Sequence, residues 1–175
     1  MGCATLLPKA TTPYISAAPA AKRRTSSNML IEGKDNIKAT RKEVWAFLTD
    51  AESVSNCTPG IESMEILEPG KKFQAVGALR LGTIKVKFKS TIEWTELKEP
   101  DHAKMKMQGT APGSSIDVGS EISLSDGPDG TTDLAWTADV RVVGTIASLA
   151  ARLMKPVSAK MAGQFFSCLK KKIEA

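Results

Sequence analysis

Between Phe73 and Val142 the chain alternates apolar and polar residues with a period of two, and nothing longer than a tight turn interrupts it. Phe73, Ala75, Gly77, Leu79 and Leu81 occupy odd positions. Beyond Gly82 the phase passes to Ile84, Val86, Phe88, Ile92 and Trp94, while Lys85, Lys87 and Lys89 face the other way. Ala103, Met105, Met107 and Gly109 form the next apolar set, followed by Ile116, Val118, Ile122 and Leu124, and then by Leu134, Trp136, Ala138, Val140 and Val142. A period of two marks strands with one buried and one wet face. Turns at Glu99-Pro100-Asp101 and Asp126-Gly127-Pro128-Asp129-Gly130 are too short for parallel crossovers, so consecutive strands pair antiparallel. With no helix between them, an alternating parallel architecture is excluded.

The flanks complete the pattern. Met29–Asn36 reads as a first strand, and Thr40 with Glu43 three residues later is a capping box opening a helix whose apolar face is Val44, Phe47, Leu48 and Ala51. Pro59-Gly60 makes a turn, because Pro59 presets φ and Gly60 tolerates a positive one, and Ile61–Leu67 follows as a strand ending at Glu68-Pro69-Gly70. From Thr145 the period becomes helical: Leu149, Leu153, Val157, Met161, Phe165, Leu169 and Ile173 recur every fourth residue, widened by Ile146, Ala150, Met154 and Phe166. Pro156 removes one backbone donor and is expected to kink this helix. The chain therefore reads as α+β: a curved antiparallel sheet of six to seven strands wrapped around a long carboxy-terminal helix, with short helices after the first strand. Leu153, Met161 and Phe165 are expected to pack against its concave face.

The net charge of +5 suggests a polyanion partner only until it is located. Residues 1–28 hold Lys9, Lys22, Arg23 and Arg24 and no acid, so the remainder is nearly neutral. Aromatic residues make up 5% of the chain, too few for a base-stacking platform, and a nucleic-acid partner is set aside. The expected organisation is a leader over 1–28 and one ligand-binding domain over 29–175. The leader reads as a transit-like segment, as an acylated terminus weakened by Leu6, or as an extended start before Met29. Cys3, Cys57 and Cys168 are odd in number, far apart and without a C-x-x-C pair, which signals neither a disulfide framework nor zinc. A reducing, cytoplasmic setting follows from that.

No catalytic motif stands out. The single histidine, His102, reads as a solvated loop residue, and Glu62, Glu65, Glu93, Asp133 and Asp139 fall mostly on outward phases. The inward phases are apolar and adaptable. Met105 and Met107 lie opposite Phe88, Ile92, Trp94 and Trp136, with Ile116 beside them and Leu153, Met154 and Met161 facing them from the helix. Any one of these residues reads as core. Together, with small Ala75, Gly77, Ser90, Gly109 and Ala138 leaving room, they describe an apolar ligand-binding hollow with no metal and no covalent cofactor.

The turn Asn56-Cys57-Thr58-Pro59-Gly60-Ile61-Glu62-Ser63-Met64-Glu65, the stretches Phe73–Leu81 and Thr83–Trp94, the loop Gly109–Gly113, Leu134-Ala135-Trp136, and the helix with Ile146–Leu153 and Gln164-Phe165-Phe166 occur in an order that resembles one family. Over about residues 30–173 the chain is similar to the carbon monoxide dehydrogenase CoxG family, part of the START and Bet v 1-like (SRPBCC) superfamily. The resemblance implies a helix-grip fold and a menaquinone-like quinone or other isoprenoid bound in the hollow. It also implies association with a carbon monoxide dehydrogenase-type molybdenum oxidoreductase. Alternatives in the same frame are an assembly or maturation partner of such an oxidoreductase and a cyclase- or hydratase-like enzyme. The sequence ends at Ala175, just after Lys170-Lys171-Lys172, without the anchoring tail of some members. Only weak peripheral contact with the inner face of a membrane is therefore expected.

Overall fold

The computed structural model describes residues 26–174. Strand β1 (Ser26–Ile37) is followed by helices α1 (Arg41–Thr49) and α2 (Ala51–Cys57). Strands β2 (Ile61–Glu68), β3 (Lys72–Leu81), β4 (Ile84–Lys98), β5 (His102–Ala111), β6 (Ser114–Asp126) and β7 (Thr132–Gly144) come next, and helix α3 (Ala147–Ile173) closes the chain. The seven strands form one sheet in the order β1-β7-β6-β5-β4-β3-β2, antiparallel throughout. Hairpin turns join β2 to β7 in sequence, and α1 and α2 carry the chain from one sheet edge to the other. Among the described residues no helix is long and apolar enough to cross a membrane.

The local signals act as expected. Thr40 and Glu43 form a reciprocal capping box on α1, which buries Val44, Trp45, Phe47 and Leu48. Gly60 takes a φ of 89°, as the turn into β2 requires. Its carbonyl accepts from Ala78 N at 2.8 Å, which seats the turn on β3. Pro156 lies within a continuous α3.

Several expectations need correction. The first strand runs from Ser26, so Ser26, Ser27 and Asn28, assigned to the leader, pair with Val143, Val142 and Arg141 of β7. What was expected of residues 1–25 lies outside the described residues. Gly109 is not in a loop: it is a buried residue of β5, and the turn follows Ala111. His102 is half-buried as the first residue of β5. Cys57 and Cys168 are joined in a disulfide, their Cα atoms 5.5 Å apart. The pairing needs the end of α2 to meet α3 across a separation of 111 residues, which cysteine spacing does not encode.

The core is divided. One cluster, at the α1 end, combines Ile37, Val44, Phe47, Leu134, Phe166 and Leu169 with neighbours from β5 and β6. A second, at the start of α3, comprises Val140, Val142, Ala147 and Ala150. The buried phenyl of α3 belongs to Phe166, and Phe165 is half-buried at its edge.

Candidate functional site

The space of interest lies between these two clusters. Strand register aligns the inward residues in rows across the sheet: Ala75, Ser90, Gly109, Ile116 and Val142; Phe73, Ile92, Met107, Val118 and Val140; then Trp94, Met105, Ser120 and Ala138. The first row is a floor of small residues over β3, β4 and β5. A Cβ added to Gly109 would have as nearest atoms Ser90 Cβ at 3.6 Å, Lys89 O at 3.7 Å and Ile116 Cβ at 3.8 Å. All of these are atoms of the sheet at ordinary contact distance, and none belongs to α3.

Helix α3 comes closest to β1, β3 and β7 and spans the central strands like a beam. The amino-terminal end is held where Ile146 N donates to Ser114 Oγ at 3.1 Å. The other end is held by the disulfide and by Lys170 Nζ donating to Asp35 Oδ1 at 3.0 Å. In the second turn of the helix the hairpin between β3 and β4 approaches it, with Leu153 Cδ1 3.4 Å from where a Gly82 Cβ would lie.

All the candidate site residues are half-buried: Phe88, Ile92, Trp94, Met105, Met107, Ile116, Trp136, Leu153, Met154 and Met161. Trp94 and Trp136 pack on the first cluster, and Ile116 and Met154 on the second. Phe88, Ile92, Met105, Met107, Leu153 and Met161 pack with neither. Ile92 pairs with Met107, and Trp94 with Met105, across β4 and β5. The candidate residues are thus apolar and half-buried, while Ala75, Ser90 and Val142 in the same rows are buried.

Gly77 does not contribute room, contrary to expectation. The Gly60 carbonyl covers it, and Phe88 Cζ lies 2.9 Å from where its Cβ would be. The indole of Trp136 lies over Gly33, its Nε1 2.7 Å from the position of a Cβ there, and that buried N–H has no partner among the described residues. Sequence reading missed Asp35, which shares the inward phase of Ile31 and Ile37 and binds Lys170. The parity of β1 was the available signal, but an aspartate on a core face is intelligible only once its lysine is in view.

Two open grooves, of about 540 Å³ and 720 Å³, lie along the carboxy-terminal half of α3 and share Gly163, Ser167 and Lys171, the first of them reaching Phe166 and Asp35 of β1. Neither contains a candidate residue. Both are open to solvent, and the first is lined by Asp35 and Lys170, which bind each other, together with Lys171 and Glu174.

On the outer sheet face, His102 Nδ1 lies 3.1 Å from Glu96 and Nε2 2.6 Å from Glu121. The Lys98 ammonium, 3.0 Å from Glu96, holds that carboxyl below its usual value, and the hydrogen bond to His102 does the same for Glu121. The cluster ties β4, β5 and β6 together on the outer face of the sheet. Glu96 and Glu121 sit on opposite ring nitrogens of His102, and among the described residues no group of three or more His, Cys, Asp or Glu is placed to hold a metal ion.

Residues 33–174 match the model of the carbon monoxide dehydrogenase CoxG family. A crystal structure of a conserved protein from Geobacillus kaustophilus is similar at 27% identity and a TM-score of 0.77, covering 83% of this chain and 95% of that one. The Zhui aromatase/cyclase from Streptomyces sp. R1128 is similar in fold at 17% identity and a TM-score of 0.65, over 85% of this chain and 94% of that one. A START superfamily protein from Mycobacterium smegmatis matches at 14% identity and a TM-score of 0.64, over 83% and 97% of the two chains. No curated protein matches the chain.

Proposed function

Since the chain belongs to the carbon monoxide dehydrogenase CoxG family, within the START and Bet v 1-like superfamily, we propose that it binds a quinone- or isoprenoid-like molecule in the hollow under α3 and releases it unchanged. The observation that carries this reading is the set Phe88, Ile92, Met105, Met107, Leu153 and Met161, inward-facing and apolar yet in neither core cluster. Methionines suit a wall that must adapt to an irregular guest. The ionisable pair on the inner face, Asp35 and Lys170, is self-engaged and favours binding over turnover. At roughly 0.3 kcal/mol per heavy atom, a ligand of about 30 heavy atoms gains on the order of 9 kcal/mol, enough for sub-micromolar binding.

Family membership supports a molybdenum oxidoreductase of the carbon monoxide dehydrogenase type as the partner between which and a membrane the ligand moves. With Lys170 engaged by Asp35, Lys171 and Lys172 are left for anionic lipid, at about 1 kcal/mol each, a loose and salt-sensitive contact. The expected cytoplasmic location rested on unpaired cysteines. The Cys57–Cys168 bond removes that premise and favours a setting in which a disulfide persists.

Gly109→Leu tests the hollow. A Cβ there meets only ordinary contacts, and the rest of the leucine side chain would enter the proposed ligand space. The variant should melt no lower than wild type and lose saturable binding of a menaquinone analogue followed by Trp fluorescence. If it binds the analogue as tightly as wild type, or if wild type shows no saturable binding, the reading is wrong.

A further inference from the structure

Two polar side chains are buried in the core, Thr132 and Ser90, and they are not alike. Thr132 Oγ1 donates to Ala39 O at 2.7 Å, a well-made bond. On the inner face, Ser120 Oγ donates to Thr137 O at 2.8 Å. Ser90 is 2% exposed, and among the described residues its hydroxyl finds one partner, Ala75 O at 3.5 Å, the outer limit of such a contact. A serine hydroxyl offers one donor and two acceptor sites, and leaving them underused in an apolar surround is unfavourable. Alanine at this position would avoid that. Ser90 also sits in the small-residue floor, between Ala75 and Gly109, with its Cβ 3.6 Å from where a Gly109 Cβ would lie.

We infer that the Ser90 hydroxyl is the polar anchor of the hollow, turning from Ala75 O to donate to a carbonyl oxygen carried on an otherwise apolar ligand. This rests on the binding reading above and adds to it which end of the guest is recognised. The Ser90 O–H gains a short bond in place of a 3.5 Å one, and the walls formed by Ile92, Met107 and Ile116 accept the carbon body. Hydrocarbons of the same shape enter without that bond.

The test is a matched pair of probes, 2-methyl-1,4-naphthoquinone and 2-methylnaphthalene, which share a carbon skeleton and differ in the two carbonyl oxygens. Their affinities for the full chain are measured by displacement of a polarity-sensitive fluorophore, in wild type, Ser90→Ala, Ser90→Thr and the control Ser120→Ala. Wild type should prefer the quinone by about three- to tenfold, the span of one neutral hydrogen bond. Ser90→Ala should remove that preference by weakening the quinone alone, with hydrocarbon affinity and melting temperature not reduced. Ser90→Thr should keep most of it, and Ser120→Ala all of it. A preference unchanged in Ser90→Ala, or absent from wild type while both probes bind, overturns the anchor and leaves the hollow standing. Failure of both probes to bind wild type overturns the hollow itself.

Discussion

Thr40 N donates to Glu43 Oε2 at 2.8 Å and Glu43 N to Thr40 Oγ1 at 3.4 Å, so two amides at the start of α1 find partners within one turn. The backbone and then the side-chain bond from Thr40 hold the Glu43 carboxyl below its usual value. Asp50, capping α2 at Ser53 N, is lowered in the same direction by its hydrogen bonds to Ser53. A carboxylate whose folded value is depressed contributes stability that is fully present above the unfolded value and is lost as pH falls through the folded one. The window is therefore acidic, from the ordinary carboxylate range downward. Glu43→Gln should melt lower than wild type at pH 7, with the gap closing below about pH 4. A gap constant from pH 7 to 3 in thermal melts would remove charge from the explanation. This box was legible because both partners lie within four residues of each other. His102 and Cys57 were misread because their partners, Glu96 and Glu121 in one case and Cys168 in the other, arrive from other elements.

At the scale of elements, periodicity located every strand and the closing helix, because facing a core imposes a period of two or 3.6 whatever the core contains. It was less able to end them. β4 continues past Trp94 to Lys98, where polar Glu96 and Lys98 pair with Lys104 and His102 through the backbone and leave no apolar mark. In α3 the four-residue stripe was plain, but it did not distinguish buried Phe166 and Leu169 from half-buried Leu153 and Met161. That depends on where the arched sheet falls away from the helix. The outer side of α3 holds Gly163, where an added Cβ would meet nothing within 4 Å. An exposed helical glycine with no such constraint costs about 0.5–1 kcal/mol relative to alanine. Gly163→Ala should stabilise the chain by that amount in urea unfolding, and a destabilised variant would show that the glycine is needed by the fold.

For the molecule as a whole, α3 is a beam fixed at its two ends that comes closest to β1, β3 and β7. Legibility of the candidate site stops at this arrangement. The sequence identified the inner face, but the same alternation describes packed and unpacked stretches alike, and only the positions of the two end clusters separate Met107 from Val142. The carboxy-terminal fixing point is the Cys57–Cys168 bond, which closes a loop with a separation of 111 residues. A cross-link over so long a loop restricts the unfolded chain strongly, and bonds of this kind contribute about 2–4 kcal/mol. For a chain of this size that corresponds to a shift in melting temperature of about 5–15 °C. Reduced wild type and Cys168→Ser should therefore melt together, well below the oxidised protein, and Cys168→Ser should be indifferent to reductant. In the oxidised protein, thiol titration should find Cys3 alone. Three reactive thiols in unreduced protein, or a melting temperature that reductant leaves unchanged, would show that α3 is held without the bond, and that Asp35–Lys170 and packing around Phe166 and Leu169 suffice to keep the beam in place.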